Sequence, residues 1–202
     1  GTVTITAEGV YVLSGTLSNG SIIVDAGDED KVQLVLNGVS VTGSDFAAIY
    51  AKNADKVFVT LAENTENTLV NENSFTEIDD NHVDAVIFSK CDLTLNGAGK
   101  LTVTSPVGHG IVSKDELTIT GGSYTITASG HGLTGKDSIA IAAGSFVIDS
   151  GKDGIHAEDE DGSEAGFLYL ADGDFTITAQ SDGISASGML EIAGGNYYIT
   201  TG

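Results

Sequence analysis

Along much of the chain Thr, Ile, Val and Leu alternate with a period of two. In "ELTIT" (116–120) and "SYTIT" (123–127), Leu117, Ile119, Tyr124 and Ile126 fall on one face, and Thr118, Thr120, Thr125 and Thr127 on the other. That period belongs to β-strands with one face in a core. The alternating runs are punctuated by glycine bends, and no stretch carries the 3.6-residue period of an amphipathic helix. The pattern predicts an all-β protein.

The strands recur in a fixed unit. "HGIVSKDELTITGGSYTITASG" begins at His109 and "HGLTGKDSIAIAAGSFVIDSGK" at His131, a period of 22 residues. A further 22 residues reach Asp153, which opens "DGIHAEDEDGSEAGFLYLADGDFTITAQS"; Asp182 opens the next unit. Backwards, units open at Asp84 and Asp45. A unit of about 22 residues with three strand segments and tight bends is one coil of a parallel β-helix. A propeller blade would need four strands and about 40–45 residues. The expectation is a single domain over 1–202, with about eight coils and insertions near 64–83 and 158–165.

In such a fold, equivalent positions of successive units lie one strand spacing apart, roughly 4.8 Å. The repeat therefore predicts columns of side chains. The first position carries Asp84, His109, His131, Asp153 and Asp182. The sixth carries Lys114, Lys136 and Glu158, and the seventh Asp115, Asp137 and Asp159. Like charges stacked on neighbouring strands repel. A raised pKa, a counter-cation or exposure to water relieves them.

Charge adds weight to the cation. Eight lysines and no arginine face 29 acidic residues, giving −21. Such a surface repels nucleic acid and anionic membranes, and points to multivalent cations as partners. Acidity that only keeps a Thr-rich surface soluble is the alternative. Within "SGKDGIHAEDEDGSE" (150–164), Asp153, Glu158, Asp159 and Asp161, with Asp182 and Asp137 one unit away, are the leading candidate ligands for Ca2+. Asp115 and Asp84 belong to the same columns. "EIDDNHVDA", with Asp80 and Asp84, is a second candidate, and "DAGDED" (25–30) reads as a turn. The stretch matches neither an EF-hand nor the GGxGxD repeat. Zn2+ would call for histidine and cysteine, and these are not expected to cluster here.

Other chemistry is thinly represented. His109 and His131 form either a general base or metal pair, or, the favoured reading, stand-ins for aspartate that hydrogen-bond the turn. Cys91 falls on the inward face of "CDLTL" and reads as a core thiol. Tyr50, Phe75, Phe88 and Tyr198 are the aromatic residues placed to surface. No nucleotide-binding loop, signal peptide or membrane-spanning apolar run is present. Oligomeric state is left open.

The segments "YVLSGTLSNGSIIVDAGDEDKVQLVLNGVSV", "AIYAKNAD", "TLAENTENTLV", "AVIFSKCDLTLNGAGKLTV", "HGIVSKDELTITGG" and "DGIHAEDEDG" occur in this order over nearly the whole chain. Together they resemble a bacterial, mainly clostridial, family of secreted carbohydrate-binding β-helix proteins, similar in fold to polysaccharide lyases. The resemblance implies a right-handed parallel β-helix, bound Ca2+, an extracellular location and contact with cellulose or pectin-like acidic polysaccharides. The chain departs from the family where Cys91 replaces an aspartate after "SK", and where His109 and His131 replace aspartate before "GI".

Three functions are compatible with these features. The first is a non-catalytic, calcium-dependent polysaccharide-binding protein. The second is a calcium-dependent lyase cleaving uronans by β-elimination, with Lys136 or Lys152 as the base. The third is a structural or adhesive surface rod that uses calcium for stability alone.

Overall fold

The computed structural model describes residues 1–159 and 166–202. These form 22 strands, numbered β1 to β22 in chain order, and no helix. An eight-stranded sheet runs β1 (Thr2–Ile5), β3 (Ser21–Asp25), β5 (Ile49–Asn53), β8 (Ala85–Ser89), β11 (His109–Ser113), β14 (Leu133–Gly135), β17 (Ile155–Ala157), β20 (Ile184–Ala186).

A 14-stranded sheet is organised around the long strand β4 (Lys31–Gly43), which β2 (Gly9–Ser18) flanks along its length. Residues 31–36 of β4 pair with β6 (Lys56–Leu61), and residues 40–43 pair with β7 (Glu66–Asn71). From β6 the order continues through β9 (Asp92–Gly97), β12 (Glu116–Ile119), β15 (Ser138–Ile141) and β18 (Phe167–Leu170) to β21 (Leu190–Ile192). From β7 it continues through β10 (Lys100–Ser105), β13 (Ser123–Ala128), β16 (Ser145–Ser150) and β19 (Asp174–Ala179) to β22 (Asn196–Thr201). Gly38 sits where β4 divides, with φ at +74°, a left-handed conformation that side-chain-bearing residues resist.

All of these ladders are parallel. The register follows the repeat. Ile111 pairs with Leu133, Leu133 with Ile155, and Ile155 with Ile184. One expected column shifts. Ile111 pairs with Ile87, so Ala85 rather than Asp84 lies beside His109. Asp84 sits one residue outside the strand and receives the His109 N–H on its carbonyl at 2.8 Å.

Apolar columns run through the interior. One contains Val57, Leu93, Leu117, Ile139 and Leu168, each at most 1% exposed. Burial of one such side chain contributes about 1.5–3 kcal/mol. Beside it Tyr124, Phe146, Phe175 and Tyr197 stack with centroids 5.1, 4.8 and 4.7 Å apart and planes within 11°. The Tyr124 and Tyr197 hydroxyls donate to the Gly121 and Gly194 carbonyls at 2.8 Å, so each ring end is satisfied at a bend. Cys91 is a buried free thiol, as its place in the alternation predicts.

The stretch read as an insertion from residue 64 contains a regular strand, β7, and the excess begins after Asn71. This segment folds over the outer side of β5, β8 and β11. Of the four aromatic residues able to surface, Tyr50 and Phe88 are therefore fully buried in a second apolar cluster with Ala47, Val83, Ala85 and Val112, and Tyr198 is exposed. Tyr50 Oη donates to Asp79 Oδ2 at 2.8 Å and accepts from Asn81 Nδ2 at 2.6 Å. No helix among the described residues is long and apolar enough to cross a membrane.

Candidate functional site

The outer column of the eight-stranded sheet runs Tyr50, Phe88, Val112, Thr134, His156. Its first members lie under the segment after β7. Where that cover ends, a cleft of about 170 Å3 opens over Val112, Thr134 and His156. His109, His131 and Lys152 line it on one side, and Lys114, Lys136 and Glu158 on the other.

Three imidazoles form one wall. His109 and His131 stack at 5.0 Å between centroids with planes 11° apart, and His131 and His156 at 4.2 Å and 12°. The backbone sets the tautomers of the first two. His131 N–H donates to His109 Nδ1 at 2.9 Å, and Asp153 N–H donates to His131 Nδ1 at 3.1 Å. In the next layer Asp182 N–H donates to Asp153 Oδ1 at 3.0 Å. Histidine thus takes the acceptor role that aspartate plays one layer on, which was the favoured reading of the histidine column. An Nδ1 accepting a backbone N–H carries no proton. Burial opposes a positive charge on the ring, pushing His109 below the usual range and His131 down to about 4, with the neighbouring histidines adding to the latter.

Asp153 is deeply buried, its side chain 9% exposed. Its Oδ2 lies 2.6 Å from His156 Nδ1 and 3.6 Å from His131 Nδ1. The His156 contact is at ion-pair distance, and its angle falls short of an aligned hydrogen bond. His156 Nε2 lies 3.2 Å from Glu158 Oε2, which Lys136 Nζ reaches at 2.8 Å. Lys136, with His156 in support, outweighs the desolvation of Glu158 and holds its carboxyl down to about 2.

A second cleft, of about 320 Å3, lies beyond Lys114 and Lys136. Asp80 and Asn81 enter it from the segment after β7, and Asp137 and Asp159 from the seventh-position column. Lys90, Lys114 and Lys136 line it too. Asp115 neighbours Asp137. Burial, a hydrogen bond with Asp137 and the charges of Asp92 and Asp137 raise the Asp115 carboxyl to about 6. This is the repulsion that the stacked column predicts.

The candidate ligands thus separate into groups. Asp80, Asp137 and Asp159 share the second cleft, with Asp115 adjacent. Glu158 and Asp84 line the histidine cleft, and Asp153 lies buried against its His131 and His156. Asp84 is half exposed, its Oδ2 3.5 Å from His109 Nε2. The side chain of Asp182 is exposed and only its backbone joins the ladder. Asp161 lies outside the described residues. Lys136 is engaged by Glu158, while Lys152 lines the histidine cleft from an exposed position. "DAGDED" does form a turn, closed by Asp30 N–H to the Gly27 carbonyl at 2.9 Å.

The expectation that histidines do not cluster is corrected. His156 is the residue that sequence reasoning passes over, because alignment places it in the column of Thr134. Its ring nonetheless reaches across to stack on His131. The available signal was "DGIHAE", a histidine three residues after a column aspartate.

Comparison with known proteins agrees with this architecture. A carbohydrate-binding domain-containing protein of Acetivibrio thermocellus is 41% identical over 128 residues, covering 62% of this chain and 45% of that protein. The match therefore spans less than half of that relative's length. A solved structure, the polysaccharide lyase-like protein from C. thermocellum in a gadolinium derivative, has a TM-score of 0.89 at 34% identity, covering 99% of this chain and 84% of the other. The family model for carbohydrate-binding domain-containing proteins matches residues 1–202. Parallel layers carrying polar clefts on one outer sheet are thus the frame of a protein that belongs to the carbohydrate-binding domain family.

Proposed function

We propose that the chain is a secreted, calcium-dependent, non-catalytic polysaccharide-binding domain whose layers wind as a right-handed parallel β-helix. The observation that carries this reading is the meeting of Asp80, Asp137 and Asp159 in one cleft, from separate parts of the chain. Their donors, with the Asn81 amide oxygen, are hard oxygens of the kind Ca2+ takes, and water and backbone carbonyls complete such sets. The raised carboxyl of Asp115 marks the repulsion that a bound cation relieves. The gadolinium derivative of the polysaccharide lyase-like neighbour supports the same chemistry, because lanthanides are hard cations that prefer oxygen.

In this reading Asp80, Asp137 and Asp159 hold the ion. A calcium ion supplies the positive charge that lets uronate carboxylates approach a surface of charge −21. Lys90 and Lys114, flanking the same cleft, add attraction for an acidic polymer. Of the two candidate bases for lyase chemistry, Lys136 has its ammonium tied to Glu158 at 2.8 Å, and Lys152 lines the histidine cleft rather than the oxygen cleft.

The test is retention of the chain on polygalacturonate and on cellulose, with Ca2+ and with excess chelator. Polygalacturonate binding is expected to vanish on chelation, return with Ca2+, and weaken in Asp137→Asn. Undiminished binding in excess chelator overturns the calcium reading. Accumulation of unsaturated uronate product would overturn the non-catalytic one.

A further inference from the structure

We propose that His131, Asp153 and His156 form a binding site for a borderline transition-metal ion of the Zn2+, Ni2+ or Cu2+ class, distinct from the oxygen cleft assigned to Ca2+. Each residue offers one ligand atom, and these atoms lie within 4.8 Å of one another. Donors bound at about 2.0–2.2 Å around one such ion stand roughly 3–4 Å apart. The 3.6 Å between His131 Nδ1 and Asp153 Oδ2 already suits this, and the 2.6 Å between Oδ2 and His156 Nδ1 needs a slight opening.

The contacts around the trio add to proximity alone. His131 Nδ1 accepts the Asp153 N–H, so it carries no proton, and its one lone pair turns to a metal when that bond loosens. Glu158 Oε2 faces His156 Nε2 at 3.2 Å and Lys136 Nζ anchors that carboxylate. His156 Nδ1 faces Asp153 Oδ2 at 2.6 Å, so a metal ion would take the place of the N–H that two such atoms otherwise need between them. The third atom, Asp153 Oδ2, belongs to a side chain that is nine-tenths buried. Three ligand atoms thus converge within 4.8 Å of one another, and the short Nδ1–Oδ2 contact lacks hydrogen-bond alignment.

The identity of that cation follows from the donors. Two imidazoles and one carboxylate are too rich in nitrogen and too few in oxygen for Ca2+, and match the preferences of Zn2+ and its neighbours. The surroundings behave as an outer shell. Asp182 N–H fixes the Asp153 carboxylate at Oδ1, and Glu158 orients His156 through its far nitrogen. One side of the trio opens on the histidine cleft, where the buried Thr134 Oγ1 has no hydrogen-bond partner. An exogenous oxygen completing the coordination, from water or a sugar hydroxyl, would meet that hydroxyl. The Asp153 N–H bond to His131 Nδ1 is the contact that must loosen when the ion binds.

The experiment is titration of metal-stripped protein at pH 7.5 with Zn2+ and, separately, Ca2+, followed by calorimetry, with Co2+ as an optical probe. One equivalent of Zn2+ is expected to bind about 100-fold more tightly than Ca2+ at this site, and Co2+ to give the visible band of nitrogen ligation. His156→Gln should weaken Zn2+ by about 100-fold while the circular dichroism spectrum is kept. Asp137→Asn should leave Zn2+ binding unchanged, which separates this site from the calcium cleft. Absence of saturable Zn2+ binding, or binding untouched by His156→Gln, overturns the proposal. The second result would place the ion on exposed carboxylates.

Discussion

Nδ1 of His131 accepts the backbone N–H of Asp153 at 3.1 Å, and in the next layer Oδ1 of Asp153 accepts the N–H of Asp182 at 3.0 Å. One structural task, satisfying a corner N–H, is done by two chemically different side chains. Asp performs it with a carboxyl oxygen, and His with the lone pair of a neutral ring.

That difference predicts an acid weakness. The folded state lowers His131 from 6.5 to about 4, so the unfolded chain binds more protons between those values. The stability it contributes is complete above pH 6.5 and is lost as pH falls towards 4. Melting curves of metal-free protein should show Tm falling across this window. His131→Asn keeps an acceptor without a titrating ring and should flatten that part of the profile.

Asp115 acts with the opposite sign. Its carboxyl rises from 3.8 to about 6, so the folded state holds a proton that the unfolded chain releases. Stability is full below pH 3.8 and is lost as pH rises through 6. Asp115→Asn should therefore raise Tm at pH 8 in chelator and change it little at pH 4. Thermal melts at the two pH values check this.

The aromatic column supplies a large packing contribution. Phe146 is 1% exposed between Tyr124 and Phe175. Phe146→Ala should destabilise by about 3–5 kcal/mol, through lost transfer energy and the cavity left behind. Phe146→Leu should be milder because much of the apolar volume remains. Urea midpoints at constant slope measure both.

Asn67 is a polar keystone within the division of β4. It is 2% exposed; its Oδ1 accepts the Gly38 and Val39 N–H groups at 3.0 Å, and its Nδ2 donates to the Lys100 carbonyl at 3.1 Å. Asn67→Ala strands these groups away from water and should cost about 2–3 kcal/mol in denaturant unfolding. Asn67→Asp should also destabilise, since it lacks the donor.

Much of this was legible in the chain itself, for identifiable reasons. A period of 22 residues fixes which side chains lie beside which, because parallel stacking leaves no freedom of register between equal units. The pairing of Ile111, Leu133 and Ile155 and the crowding of Asp115 against Asp137 followed from that alone. What escaped came from unequal units. The residues after Asn71 have no counterpart in the repeat, so their burial of Tyr50 and Phe88, and their delivery of Asp80 to Asp137 and Asp159, required coordinates. His156 escaped for another reason. Alignment assigns a residue to a column through its Cα, whereas an imidazole is long enough to act in the column beside it.

The backbone-to-side-chain ladder at the layer corners also bears on how such a protein acquires new capacities. At His109, His131 and Asp153 the corner side chain offers one acceptor atom to the next N–H. Exchanging Asp for His at a corner keeps that acceptor and leaves the interior columns untouched. Recognition chemistry is then inherited layer by layer, separately from the packing that keeps the molecule folded. A lineage built this way can try new ligands at single positions without first having to rebuild its core.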